Sequence, residues 1–256
     1  MKLGRIRPAH RAKLAFRSYC ADPSKLPPAP ATCDYTTKAA ACLALVYMND
    51  SLGDCVIAGG YHELGLWTGN ATGSPFLATD TQIVADYGAI GGYNPSDPST
   101  DQGCDEQTAL TYWMSHGYAD GSKLGAFVGV DATNPDEVRS CVFCFETVFL
   151  GIELPDAWIS PFPSSSGFVW DVAGDPDPSN GHCVVVVGYN DVGVQIATWG
   201  MIGTITWAAL AKYCSSTSGG EIYALLSPDE VSGDEAPNGF DYEALQADIA
   251  ALQPGP

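Results

Sequence analysis

Apolar residues in the first half of the chain recur at helical spacing, and turn-forming residues separate the apolar stretches. Residues 38–48 are rich in Ala, Leu and Val, and the turn formers that follow predict a helix beginning near Asp54. Residues 56–67 are apolar on most faces, which predicts a buried helix whose free amides the Asp54 side chain caps. Gly59 and Gly60 lie inside this helix and predict close packing against another backbone.

The hydrophobic pattern changes after Gly117, where short runs of β-branched and aromatic residues replace the helical spacing. Helices are predicted over residues 79–87 and 106–116 before this point and over 135–145 after it. Strands are predicted over residues 124–130, 148–154, 182–189, 194–199, 204–207 and 222–226. Helices first and strands later predict an α+β protein with two packed halves and a cleft between them.

Two segments of different character flank this predicted core. Residues 1–38 form a basic N-terminal arm and a connector with four prolines between residues 22 and 30, which predicts extended chain. Residues 229–256 form an acidic tail with a short helix predicted over 241–252. One stripe of that helix is apolar (Tyr242, Leu245, Ile249 and Leu252) and predicts docking on the chain's own body or on another subunit. The core is therefore placed at residues 39–228, with a helical half over about 39–117 and a β half over about 118–228.

Composition adds that this is a globular chain with an uneven charge. The 256 residues are 46% hydrophobic and carry a formal net charge of −19. No run reaches the roughly 18–20 apolar residues of a membrane span, and the first 25 residues lack an apolar signal core. These features predict a soluble protein without a secretion signal or a membrane partner, located in a bacterial cytoplasm or in a virion. The acidic body also argues against nucleic acid as a partner.

The basic residues concentrate at the N-terminus. Residues 1–25 contain seven of the eleven basic residues and only one acidic residue, Asp22, so this segment carries +6 and the remaining 231 residues carry −25. The seven are Lys2, Arg5, Arg7, Arg11, Lys13, Arg17 and Lys25. Such an arm can lie across its own body or across a neighbouring acidic surface, and we favour the neighbour.

Cysteine and histidine supply the candidate chemistry. Nine cysteines form an odd set, and Cys141 and Cys144 have no second Cys-x-x-Cys to complete a zinc site, so neither a metal nor another cofactor is predicted. Cys55 stands at the start of the buried helix, where free amides and the helix dipole favour a thiolate. His62 lies about 10 Å further along the same helix and cannot touch Cys55.

His182 is the base predicted for this nucleophile. It is the first residue of the predicted strand at 182–189 and directly follows a loop. The junction of a loop and a strand is a typical location for a catalytic base. His10 lies in the arm and His116 at a helix end. The competing interpretation is that Cys55 is an inert buried cysteine and that His182 is a core histidine satisfied by a carbonyl.

With this pair identified, the chain resembles the papain-like cysteine peptidases from about residue 40 to about residue 228. In that family an amide side chain six residues before the nucleophile helps to form the oxyanion hole, and Asn49 stands six residues before Cys55. The histidine begins a strand ending Val-Gly-Tyr, and a Trp-Gly pair, here Trp199-Gly200, follows on a second strand. The pattern around Cys55, Asn-Asp-x-x-Gly-Asp-Cys, is most similar to a divergent group encoded in bacterial and tailed-phage genomes.

The resemblance implies acyl transfer on a peptide or amide substrate. Cys55 attacks the carbonyl, Asn49 and the Cys55 amide hold the oxyanion, and His182 transfers the protons. The family's third residue, an Asn or Asp that orients the histidine, is replaced by Thr198 or Ala197, and the oxyanion donor is Asn49 where the family usually has Gln.

These departures support an alternative function. A papain-like domain without the usual Asn or Asp, with polarised charge and two terminal extensions, is also suited to a structural or decorating protein. The assembly would be a phage particle or another complex, and residues 1–25 and 229–256 would make the contacts between protein subunits.

Overall fold

The computed structural model describes residues 1–7, 14–20, 22–232 and 239–252. The remaining parts of the predicted arm and tail, with His10, Arg11, Lys13 and the side chain of Leu252, lie outside the described residues. The described helices are α1 (Thr36–Leu43), α2 (Cys55–Thr72), α3 (Asp80–Gly91), α4 (Glu106–Ser115), α5 (Pro135–Phe145), α6 (Trp207–Tyr213), α7 (Pro228–Ser232) and α8 (Tyr242–Leu252). Helices α2, α3 and α4 precede the strands of the β half, as predicted, and α1 adds a helix that was not predicted.

The described strands form one large sheet and one small one. They are β1 (Arg5–Ile6), β2 (Cys33–Asp34), β3 (Cys104–Asp105), β4 (Ala126–Gly129), β5 (Val148–Glu153), β6 (Val169–Trp170), β7 (Gly181–Tyr189), β8 (Gly193–Thr198), β9 (Met201–Thr206) and β10 (Glu221–Leu226). The large sheet has the order β4-β10-β5-β7-β8-β9-β6, with β2 also paired to β7, and its pairs are antiparallel except β6 with β9. The short parallel pair of β1 with β3 stands apart. The predicted α+β fold is confirmed.

Strand β7 runs through the middle of this sheet and is covered on both faces. All nine of its residues are buried, which explains its run of four valines. Val184 and Val186 face the core that contains α5, whereas Val185 and Val187 face the core that contains α2. Helix α2 therefore lies directly on the sheet, and its first residue, Cys55, sits at the junction of the two halves.

Two expectations about the start of α2 are wrong. Asp54 occupies the N-cap position but its side chain does not cap the helix, because it is buried and accepts a hydrogen bond from Asn49 instead. Gly59 packs against side chains and not against a backbone: a Cβ there would press on the ring of Phe149 and on the Cys183 sulfur. The missing side chain still has the predicted effect, since it lets α2 approach the sheet closely.

The C-terminal boundary of the predicted strand at 204–207 is also corrected. Strand β9 spans Met201–Thr206, and Trp207 begins a helix because the Thr206 hydroxyl accepts a hydrogen bond from the Ala209 amide at 3.2 Å. Further on, the apolar stripe of α8 docks on the chain's own body, where Leu245 is fully buried.

The described part of the basic arm lies on its own body, one of the two positions that the charge pattern allows. Arg7 donates from Nε and Nη2 to the two carboxylate oxygens of Glu153, at 2.6 and 2.7 Å. Arg17 pairs with Glu137 and Asp131. The acidic surface that attracts the arm is therefore within the same chain. Among the described helices, none is long and apolar enough to cross a bilayer.

Candidate active site

Three of the four predicted site residues line one small cavity at the junction of the two halves. Cys55, Asn49 and Thr198 surround a space of about 10 Å³, together with Trp199. This volume is about what one water molecule needs. Cys55 is only 2% exposed, and His182, the fourth residue, is fully buried. The arrangement is therefore closed to any substrate.

Thr198 holds the imidazole of His182. Its hydroxyl Oγ1 lies 2.7 Å from His182 Nε2. If Nδ1 is to accept a proton from a thiol, Nε2 must carry the ring proton, and Thr198 then accepts a hydrogen bond from it. Thr198, and not Ala197, is thus the residue whose side chain forms a hydrogen bond with His182.

Trp199 covers the imidazole and owes its position to a tight turn. Trp199 and Gly200 form the two-residue connection between β8 and β9 and have φ values of 51° and 72°. A two-residue hairpin of this kind requires left-handed backbone at both positions, which costs a non-glycine residue on the order of 1 kcal/mol. The strained turn lays the indole parallel to the His182 ring, with centroids 4.3 Å apart.

Neither the thiol nor the imidazole is ionised in this closed arrangement. Burial raises the pKa of the Cys55 thiol to about 12. The carboxyls of Asp54 and Glu106 also raise this pKa, whereas the backbones of Cys183 and Gly4 lower it. Burial lowers the pKa of His182 to about 3. The thiolate predicted at the helix N-terminus is therefore not the state here, because desolvation outweighs the helix dipole.

No thiol–imidazole hydrogen bond forms between the predicted partners. His182 Nδ1 is buried and has no hydrogen-bond partner among the residues that the structure describes. The ring nitrogen that would take a proton is thus unsatisfied. An unsatisfied acceptor of this kind favours a rearrangement that brings a donor to it.

Asn49, predicted to hold the oxyanion, is engaged elsewhere. Its Nδ2 donates to the Leu52 carbonyl at 3.0 Å and to Asp54 Oδ1 at 3.2 Å. Burial raises the pKa of Asp54 to about 8. One of these two hydrogen bonds must open before the amide can turn toward a substrate carbonyl.

Residues 2–5, hereafter the cover segment, close the site from the N-terminus of the chain. On the helical side, the Lys2 amide donates to the Asn49 carbonyl at 3.0 Å and the Cys104 amide donates to the Gly4 carbonyl at 2.9 Å. On the sheet side, Trp199 Nε1 donates to the Lys2 carbonyl at 3.3 Å. The cover segment therefore occupies the predicted cleft and binds both of its walls.

Gly4 is the closest point of this contact. A Cβ atom built on Gly4 would overlap the carbonyl of Gly53, and one built on Gly103 would overlap the carbonyl of Gly4. Three backbones thus meet without side chains between them. The Gly4 amide donates to the Gly181 carbonyl at 3.1 Å, and the Gly4 backbone also lowers the pKa of the nearby Cys55 thiol.

Sequence reasoning missed a group of buried charges beside this contact. The side chain of Arg5 is fully buried against Glu106 and Glu221. The clustering of arginines in the arm was a signal, but nothing in the sequence indicated which one enters the interior. His62 is buried, and its Nδ1 lies 3.7 Å from the Cys42 sulfur.

The neutral imidazole makes the closed fold sensitive to acid. Because His182 has a pKa of about 3 when folded and 6.5 when free, the unfolded chain binds one more proton between these values. This residue alone therefore lowers the unfolding free energy by about 1.4 kcal/mol for each pH unit below 6.5. We expect the difference in unfolding free energy between wild type and His182→Gln, measured by urea unfolding, to change by this amount for each unit that the pH falls. A pH-independent difference would contradict the burial of a neutral ring.

Comparison with known proteins finds structures with a similar fold but no matching family. No family model and no curated protein matches the chain. Its structure is similar to that of xylellain, a cysteine protease from Xylella fastidiosa, with a TM-score of 0.62 and 14% identity over 88% of this chain and 96% of that one. It is also similar to the proform of the ragweed pollen cysteine protease Amb a 11, with a TM-score of 0.56 and 16% identity over 80% and 68% of the two chains.

A third similar structure is that of the cysteine protease and lectin-like domains of Cwp84, a surface-layer-associated protein of Clostridium difficile. The TM-score is 0.61 and the identity 12%, over 88% of this chain and 56% of that one. Across these low identities the shared property is the arrangement of helices and sheet. The chain therefore has the papain-like fold that cysteine proteases from a bacterium and a plant share.

Proposed function

We propose that this protein is a papain-like cysteine peptidase or amidase in which Cys55 is the nucleophile and His182 the base. The observation that carries the proposal is the setting of His182: Thr198 binds Nε2 at 2.7 Å, Trp199 covers the ring, and no described residue forms a hydrogen bond with Nδ1. A structural histidine usually satisfies both ring nitrogens, whereas a general base needs one of them free.

In the proposed reaction the cover segment first leaves the site and the thiol and the imidazole come together. Cys55 gives its proton to His182 Nδ1, and the thiolate attacks the carbonyl carbon of the substrate. The oxyanion accepts hydrogen bonds from the Cys55 amide and from the Asn49 side chain. His182 then protonates the departing amine, which leaves a thioester on Cys55. A water molecule that gives its proton to His182 hydrolyses the thioester, and the Cys55 thiol is restored.

The closed arrangement corresponds to a latent form in this proposal. Burial keeps Cys55 and His182 neutral, and water entering with the opened cleft removes the cause of both pKa shifts. Departure of the cover segment thus exposes the thiol and restores the basicity of the imidazole together.

Thr198 has a testable positioning role. Thr198→Val keeps the volume but leaves the Nε2 proton without an acceptor, so the ring loses its preferred orientation and tautomer. We expect kcat/KM to fall about 10- to 100-fold while Thr198→Ser, which keeps the hydroxyl, stays near wild type. The assay is hydrolysis of a peptide amide by a catalytically open form. Equal rates for the Val and Ser variants would remove Thr198 from the mechanism.

The covalent intermediate provides the direct test of the proposed function. A form of the chain with the cover segment displaced is incubated with an activated acyl ester, quenched in acid and mapped by mass spectrometry. We expect one hydroxylamine-sensitive acyl group, located on Cys55. Acylation of other cysteines at the same rate, or none in a form with the cover segment displaced, would overturn the proposal.

A second candidate is a non-catalytic structural or decorating protein of a phage particle or another assembly. It is favoured by the closed site, where the nucleophile and the base are both neutral. Contacts through residues 1–25 and 229–256 would then be largely ionic, so assembly would weaken with salt. Sedimentation at low and high salt distinguishes the two: salt-sensitive association without thiol reactivity supports the assembly, and a reactive monomer supports the peptidase.

A further inference from the structure

Arg5 enters the protein interior at a place where a charged side chain needs strong compensation. Its side chain has no exposed surface, and Nη2 donates to Glu221 Oε1 at 2.7 Å and to the Gly219 carbonyl at 2.9 Å. Glu106, the first residue of α4, approaches Nε to 3.8 Å from the opposite wall. Arg5 therefore fills a buried acidic pocket that belongs to the folded body.

The pocket is built into the sheet by the register of three strands. Glu221 on β10 pairs with Gly151 on β5, and Gly151 pairs with Cys183 on β7. The middle position of this row has no side chain, and a Cβ built on Gly151 would overlap Arg5 Nε and the Glu106 carboxyl. The space that the guanidinium occupies thus exists because residue 151 is glycine.

The carboxyl of Glu221 is held in a fixed position. Its Oε2 accepts a hydrogen bond from the Tyr223 hydroxyl at 2.6 Å, and Gln107 Nε2 donates to that hydroxyl at 2.6 Å. The remaining oxygen, Oε1, faces Arg5. A carboxylate oriented in this way presents a prepared acceptor to a planar donor.

The pocket adjoins the candidate nucleophile. The backbones of Gly4, which precedes Arg5, and of Cys183 from the strand row both lower the pKa of the Cys55 thiol, so both lie beside its sulfur. In a chain segment that passes Cys55 as the cover segment does, the residue after the one beside Cys55 therefore places its side chain in the pocket. Any peptide that replaces the cover segment must fill the same space.

Arg5 itself fits this pocket imperfectly. Only Nη2 makes hydrogen bonds, while Nε and Nη1 have no hydrogen-bond partner among the described residues. Burial raises the pKa of Glu106, the charge of Glu221 raises it further, and Arg5 opposes both. Arg5 is thus the group that favours an ionised Glu106, although two of its own nitrogens have no acceptor among the described residues.

We propose that this pocket, the guanidinium pocket, selects arginine-containing peptides as substrates. It takes an arginine adjacent to the residue that contacts Cys55. The inference rests on the proposed peptidase function and adds the substrate class to it. Two carboxyls on opposite walls suit the planar, multidentate guanidinium better than the compact ammonium of lysine.

Binding of a free guanidinium tests the pocket without any catalysis. In the full-length Arg5→Ala variant the pocket loses its occupant, and millimolar N-ethylguanidinium is expected to raise Tm saturably by about 2–4 °C. Ethylammonium at equal ionic strength should have less than half this effect. Arg7→Ala is the matched control, because it removes an arginine whose side chain is 55% exposed and creates no buried pocket.

Two further variants keep this test decisive. If Arg5→Ala does not fold, Arg5→Gln takes its place, because it retains most of the side-chain volume. Glu221→Gln added to either one should abolish the stabilisation by N-ethylguanidinium. Equal responses of the Arg5 and Arg7 variants to N-ethylguanidinium would overturn the pocket.

Substrate selection is measured on full-length chain opened by Gly4→Val. Peptide amides are compared in pairs that differ only by arginine or its neutral isostere citrulline at each position near the cleaved bond. At one position, arginine should give a kcat/KM about 10- to 100-fold higher than citrulline. The substitution Gly151→Ala fills the pocket and should reduce this ratio to under about threefold. Cleavage without any preference would overturn the guanidinium pocket alone. Cleavage of neither peptide would overturn the proposed peptidase.

Discussion

The Gly4→Val substitution is expected to raise amide hydrolysis by the full-length chain about 10- to 100-fold, because closed molecules contribute no turnover. A side chain at position 4 would collide with the backbone of Gly53, so the contact that closes the site cannot form. Overpacking of this kind costs about 1–3 kcal/mol, and each 1.4 kcal/mol changes the fraction of open molecules tenfold. Two quantities are measured: the initial rate of peptide hydrolysis and the rate at which Cys55 is alkylated.

A matched control for this experiment lies two residues away. Ile6 is 47% exposed in the same part of the chain, and Ile6→Val changes its side chain without blocking closure. This variant should behave as the wild type in both assays. Equal alkylation rates of Cys55 in Gly4→Val and in Ile6→Val would show that the cover segment does not control access to the thiol.

The Cys55→Ala substitution is expected to have the largest effect of all. In the open Gly4→Val background it should reduce hydrolysis at least about 10⁴-fold, because no other group can form the thioester. It should also abolish rapid labelling by a thiol-directed electrophile. Alanine fits the buried position with little loss of stability, so a folded but inactive protein is the expected outcome.

Cys214→Ala provides the comparison for this loss. Cys214 is also buried, at 1% exposure, but belongs to the core on the other side of the sheet. Its replacement should leave hydrolysis and labelling unchanged. Hydrolysis that survives Cys55→Ala, or labelling that is unchanged by it, would assign the chemistry to a different residue.

Local sequence patterns predicted most of the fold. Helix α2 begins at Cys55, one residue from the start of the predicted apolar stretch, and β7 spans the four-valine run that the pattern assigned to a strand. These elements follow from side-chain periodicity, which needs no knowledge of distant residues. The end of β9 was missed because the Thr206 cap decides it, and the apolar pattern around Trp207 is compatible with strand and helix alike.

The closure of the site could not be predicted in the same way. It depends on Gly4, Gly53 and Gly103, three residues from separate parts of the chain whose backbones meet only in the folded protein. The protonation states follow from that closure: the helix N-terminus of Cys55 was visible in the sequence, but the burial that keeps its thiol neutral was not.

The guanidinium pocket illustrates the same limit. Glu221, Gly151 and Cys183 form one row only because β10, β5 and β7 are neighbours in that register. Strand order is a property of the whole sheet, and single-strand patterns do not encode it.

Trp199 connects the N-terminus of the chain to the imidazole, since its indole nitrogen holds the Lys2 carbonyl while its ring covers His182. When residues 2–5 withdraw, the indole loses a hydrogen-bond acceptor and solvent reaches the ring beneath it. Exposure of the thiol and recovery of a titratable histidine are therefore a single coupled step. A change in tryptophan emission that is lost in a Trp199→Phe variant would follow that step as an optical signal in the unlabelled protein, which has six tryptophans.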